Sequence, residues 1–89
     1  MLYNMEKKKN INEVMQEINY GQIILKLDNI LKERNITTYE LSNSANIRFQ
    51  TVKALREDTA TRIDFNVLAK ICYALNCKVQ DIIEYKDNK

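Results

Sequence analysis

One glycine and no proline in 89 residues leave almost every turn of this chain to residues with ordinary side chains. That scarcity is odd for a β-sandwich or barrel, which need many turns. It suits helices joined by short polar loops, so the expected fold class is all-α. The length makes one small domain with a modest core, stabilised by tight packing and helped by dimerisation. The chain has no His and two Cys. It therefore offers no Ser-His-Asp triad, no Cys-His pair, no His-ligated metal and no four-thiolate zinc site. An enzyme is not expected, and no cofactor or metal is read.

No apolar run approaches the ~20 residues of a membrane span. The Lys cluster in Met1–Lys9 is followed by no apolar signal region, and the chain reads as cytoplasmic. Cys72 and Cys77 read as small buried hydrophobes rather than as a disulfide or redox pair. The net charge of +2 says little. Its distribution says more, because the whole surplus lies between Gln22 and Ile63, where Arg48, Lys53, Arg56 and Arg62 are close together. Nucleic-acid binders concentrate positive charge where phosphates will lie. A solvated helix face is the bland alternative, and charge alone does not decide.

Along the chain, Asn10 precedes Ile11, Val14, Met15 and Ile18 at helical spacing, with Glu13 at the capping-box position. Gly21 follows where a left-handed residue is expected. This predicts a helix over about 11–20 within an N-terminal extension, 1–21. Ile23, Leu27, Ile30, Leu31 and Arg34 continue at helical spacing, and Asn35 can end that helix. Thr37 and Glu40 form a second capping pattern, followed by Leu41 and Ala45 on one face. Val52 and Leu55 mark the next helix. Asp64 caps another, which carries Val67, Leu68, Ile71, Cys72 and Leu75 and ends at Asn76. Val79, Ile82 and Ile83 predict a last short helix. The compact unit is then 22–85, with a charged tail over 86–89.

The informative stretch is Thr38 to Glu57. Leu41, Ser42, Ala45, Ile47, Val52 and Leu55 are spaced as two helices need when they cross steeply through a short turn. Ser42 is small where the second helix passes close. Asn46 stands where the turn asks for positive φ, which Asn tolerates best after Gly. The pattern is a helix-turn-helix.

The residues YELSNSANIRFQTVKALR, preceded by LDNILKERNITT and followed by IDFNVLAKICYALNC and VQDIIEY, resemble the Xre family. These are the Cro and lambda-repressor-like helix-turn-helix domains of bacteria and phages. The resemblance covers about Ile23 to Tyr85 and implies a compact five-helix domain, here with an extra N-terminal helix. Asn46 replaces the family's usual Gly, Ser42 its usual Ala, and Arg48 a frequent capping Ser.

The resemblance implies a sequence-specific transcriptional regulator, most simply a repressor, whose recognition helix over about 49–56 enters the major groove of double-stranded DNA. Arg48, Phe49, Gln50 and Lys53 are the candidate base-reading residues. Gln50 pairs with adenine, Arg48 or Lys53 with guanine, and Phe49 packs on a thymine methyl. Thr38, Tyr39, Thr51, Arg56 and Arg62 are the candidate phosphate contacts. Bland readings stand beside these. Phe49 also fits a core aromatic, and Arg56 fits an ion pair with Glu57, Asp58 or Glu40. Tyr73 and Tyr85 read as packing residues.

One recognition helix reads few base pairs, so a homodimer is expected. Its contact would be the N-terminal helix (Ile11, Val14, Met15, Ile18) or the C-terminal helix (Val79, Ile82, Ile83, Tyr85). Packing of the N-terminal helix on its own domain is the rival. The alternative function is a protein-interaction module, such as an antitoxin or partner-regulated anti-repressor on the same fold, with a protein partner.

Overall fold

A computed structural model describes residues 18–87 of the chain. The elements in order are β1 (Gln22–Leu25), α1 (Leu27–Glu33), α2 (Thr38–Ala45), α3 (Phe49–Arg56), α4 (Phe65–Leu75), α5 (Val79–Ile82) and β2 (Ile83–Lys86). The helices carry the core. Leu27 and Leu31 come from α1, Leu41 and Ala45 from α2, Val52 and Leu55 from α3, Ile71 and Leu75 from α4, and Ile82 from α5. These are the apolar positions that the helical spacing marks out. Fully burying each large aliphatic side chain contributes ~1.5–3 kcal/mol, and together they hold short helices that would not persist alone.

The helix boundaries follow from local chemistry. Thr37 Oγ1 accepts from Glu40 N at 3.0 Å, and Thr37 N donates to Glu40 Oε1 at 2.9 Å. Asp64 accepts from the amides of Asn66 and Val67 at the start of α4. At the ends of helices the chain uses Asn in place of Gly. Asn35, Asn46 and Asn76 have φ of 58°, 57° and 51°, and Asp58 has 60° in the loop after α3. Asn and Asp adopt this left-handed conformation at lower cost than other side-chain-bearing residues, which is how a chain with one Gly makes its turns. At the C-terminal end of α4, Arg34 donates to the carbonyl of Leu75, placing a positive charge on the negative end of the helix. Cys77 N donates to Cys72 O at 3.1 Å across Asn76, and the two thiols sit free and half-buried as the small apolar residues that close this turn. Loss of hydration pushes the Cys77 thiol up.

The all-α expectation is corrected by a two-stranded antiparallel sheet. Gln22 pairs with Lys86, Ile23 with Tyr85, Ile24 with Glu84, and Leu25 with Ile83. The helix expected from Ile23 therefore begins at Leu27. The last helix ends at Ile82 and gives way to a strand, so Ile83 and Tyr85 are not helical. The β-branched and aromatic residues Ile23, Ile24, Ile83 and Tyr85 fit a pleated ribbon better than a helix once the two segments meet. Lys26 N donates to Ile82 O at 2.7 Å and sets the register where the ribbon leaves the core. β2 also runs one residue into the stretch read as a charged tail.

Ile18 to Tyr20 are not helical, which shortens the helix expected over 11–20. The rest of that helix, with Ile11, Val14 and Met15, lies outside the described residues. Asn19 Oδ1 accepts from Gly21 N at 2.9 Å and turns the chain into β1. Gly21 itself has φ of 82°, as expected. A Cβ there would lie 2.6 Å from Lys86 O and 2.8 Å from the Tyr85 hydroxyl. No described helix is long and apolar enough to cross a membrane.

Substitutions at two positions test this account of the turns. Gly21→Ala meets both backbone strain and the Lys86 carbonyl, and should lose more than the ~1–2 kcal/mol of a left-handed alanine alone in urea unfolding. Asn46→Ala should lose about 1 kcal/mol, whereas Asn46→Gly should unfold at or above the wild-type midpoint. Equal midpoints for Asn46→Ala and Asn46→Gly would show that the turn conformation does not limit stability.

Candidate nucleic-acid interface

The junction of α2 and α3 is built from residues that are small, left-handed or apolar for stated reasons. Ser42 is buried, and its hydroxyl donates to Tyr39 O at 3.0 Å, so its polar atom is satisfied inside α2. Asn46 reverses the chain, and Ile47 N donates back to Ser42 O at 2.9 Å. Ile47 packs half-buried against the core. Lys70, on α4, donates from Nζ to Asn46 O at 3.1 Å and ties the turn to a third helix. Sequence spacing misses Lys70, because nothing local links it to a residue 24 positions away.

Arg48 takes the extended conformation that precedes a helix, and its side chain makes no capping hydrogen bond. A Ser in this place would be spent on the helix start. The Arg48 side chain is exposed instead, as are Phe49, Gln50 and Lys53. Phe49 is 44% exposed, which corrects its reading as a core aromatic. Thr51 is half-buried, and Arg62 is exposed in the loop before α4.

Eight of the nine sequence-expected residues line one of two grooves beside α3. Arg48, Gln50, Thr51 and Arg62 line an open groove of about 820 Å³ between α3, the following loop and the start of α4, with Lys70 at its wall. Thr38, Tyr39, Phe49 and Arg56 line a second groove of about 520 Å³ between α3 and the start of α2. Lys53 lines neither groove. It forms an exposed 2.9 Å pair with Glu57 one turn on. Such a pair stabilises by only ~0.3–0.5 kcal/mol, so it gives way easily to a phosphate or a base edge.

Arg56 has a different partner from those the sequence suggests. Its Nε donates to Asp28 Oδ1 at 2.9 Å, a second guanidinium nitrogen lies 2.8 Å from the same oxygen, and the third donates to Thr38 Oγ1 at 3.2 Å. The guanidinium thus joins α1, α2 and α3, and its side chain is only 17% exposed. Asp28 also holds Lys32 at 3.1 Å. Hydrogen bonds from Lys32 and Arg56 hold the Asp28 carboxyl below the usual carboxylate range. Tyr73, read as a packing residue, is 91% exposed on α4, and Phe65 on the same helix is 87% exposed. Apolar spacing gave neither, because the core stripe of α4 is already complete without them.

Residues 26–88 match the family described as the Cro/C1-type HTH DNA-binding domain. YozG of Bacillus subtilis (strain 168), an uncharacterized HTH-type transcriptional regulator, is 33% identical over 67 residues, which span 75% of this chain and 80% of that protein.

The Asp28 cluster carries a pH signature. Because the folded carboxyl titrates below its unfolded value of about 3.9, its contribution is full above that value and is lost as pH falls through the lower folded one. Asp28→Asn should unfold at lower urea than wild type at pH 7, and the gap should close below about pH 4. A gap that persists unchanged to pH 3 would refute the ion pair as its source.

Proposed function

Given that this chain belongs to the Cro/C1-type helix-turn-helix DNA-binding family, we propose that it is a sequence-specific transcriptional repressor that lays α3 in the major groove. One observation carries this reading. The exposed residues at the start and on the outer side of α3 are Arg48, Phe49, Gln50 and Lys53, a set able to read guanine, adenine and thymine edges. The family is one of DNA-binding regulators and not an enzyme class.

In this reading Gln50 and Lys53 specify bases, Arg48 reaches a base or phosphate past the helix start it leaves uncapped, and Phe49 covers a thymine methyl. Thr38, Tyr39, Thr51 and Arg62 position the backbone. Lys70 joins them at the wall of the first groove. Arg56 acts chiefly as a brace, because two of its three nitrogens face Asp28. Two copies bind two half-sites about one helical turn apart. Ile82 is buried in the core, and Ile83 and Tyr85 are strand residues paired with β1, so the C-terminal surface offered by the sequence is not a free helix. Ile11, Val14, Met15 and Ile18 are the other surface offered for that pairing.

Gln50→Ala and Lys53→Ala should each lose ~1–3 kcal/mol of discrimination against a wrong base while the fold survives. Arg62→Ala should weaken all sequences alike and lower the salt slope by about 1. Selection from random DNA at physiological salt should enrich one motif. Enrichment of none would sink the repressor reading and favour an interaction module on the same fold. Sedimentation of the full chain against a truncation beginning at Gln22 tests the N-terminal contact, and an unchanged mass removes it.

A further inference from the structure

α4 is the longest of the described helices, and its outer face carries no charge. The exposed residues on it are Phe65, Asn66, Ala69 and Tyr73. Every other described helix exposes a charged side chain: α1 Lys32 and Glu33, α2 Glu40, α3 Lys53 and α5 Asp81. Phe65 and Tyr73 are also the most open large apolar side chains among the described residues. Core packing does not account for the two rings, because Val67, Leu68, Ile71, Cys72 and Leu75 already supply the inward side of α4. The nucleic-acid surface does not account for them either, because Phe65, Ala69 and Tyr73 line neither groove beside α3. Neither surface that the sequence offers for dimerisation includes them.

We propose that a second copy of the chain packs on this face, α4 against α4 in antiparallel. Phe65, Ala69 and Tyr73 are each four residues apart, so they form one ridge along the helix. Phe65 and Tyr73 stand at equal distance on either side of Ala69. A two-fold axis beside Ala69 therefore puts Phe65 of each copy against the partner's Tyr73, and every contact occurs twice. The small Ala69 side chain lets the two helix axes approach to ~8–10 Å. Rings paired in this way attract each other beyond the area they bury. A charged face would repel its own copy across such an axis, and this face has no charge to repel.

Area sets how tight such a dimer is. Phe65 and Tyr73 are 87% and 91% exposed, so each has nearly its whole side chain left to bury. An aromatic side chain buries ~150–250 Å², and the four rings of two copies together bury roughly 600–1,000 Å². That lies below the ~1,200 Å² at which stable specific interfaces begin, in the range of weak, transient ones. The dimer is therefore reversible and forms as concentration rises. The contact rests on the pairing of two copies proposed above and names a surface for it. Its test uses no DNA, so failure of the motif selection and failure of this contact are separate outcomes.

Sedimentation equilibrium of the full chain across a concentration series tests it. The mass should rise from one chain toward two between about 10 μM and about 1 mM, the range of a weak interface. Phe65→Glu and Tyr73→Lys should each hold the mass at one chain over the same series. Phe65→Glu places a negative charge at the start of α4 and Tyr73→Lys a positive one at its end, where the helix dipole favours them. Both variants should therefore unfold in urea at or near the wild-type midpoint. A wild-type mass of one chain throughout would overturn the proposal. So would a dimer that survives both substitutions, which moves the pairing to another surface.

Discussion

The left-handed backbone at Asn46 is the constraint on which the rest of this small protein turns. It lets Ile47 N return to Ser42 O, and it sets the direction in which α3 departs. Ser42 has to be small and internally satisfied for α3 to pass close, and its hydroxyl bonds within its own helix. Lys70 then fastens the turn from α4. A side chain at any position of α3 inherits its placement from these few contacts. A binding surface set on packed helices in this way is held more precisely than one carried by loops.

The charges around α3 divide by what surrounds them. Arg56 is half-buried and faces two elements at once, so its energy goes into holding α1, α2 and α3 at fixed angles. Lys53 pairs only with Glu57, in the open, where screening by water and salt leaves the pair weak. Two cations on one short helix thus serve opposite ends. One is spent on architecture and the other stays available for exchange. Formal charge gives no hint of this division, because both residues count the same in a sequence.

What the sequence made legible was local. The Thr37–Glu40 box, the Asp64 cap, the helix end at Asn35, and the left-handed Asn46 and Asn76 all depend on residues within one turn of each other, and all were readable. So were the nine buried apolar positions, whose spacing is set by the helix period. The ribbon was not readable. Ile23 and Ile83 fit the ends of helical stripes as well as strands, and each strand is only four residues long. Only the other strand decides, and it lies at the far end of the domain. The partner of Arg56 is hidden for the same reason, since Asp28 is 28 positions away while Glu57, Asp58 and Glu40 lie nearer in sequence. Of the candidate site, the outward residues of α3 were legible from the motif alone, whereas their sorting into two grooves required the fold.

The hydroxyl of Tyr85 reaches Tyr20 O across 65 positions of chain, and the strands around it close the domain's beginning onto its end. The helices between them form through contacts that are close in sequence, and such contacts assemble first. The ribbon has no local route. β1 is made before its partner strand and stays unpaired until β2 follows the last helix. The first strand of the described domain is therefore completed by the last of its elements to be made.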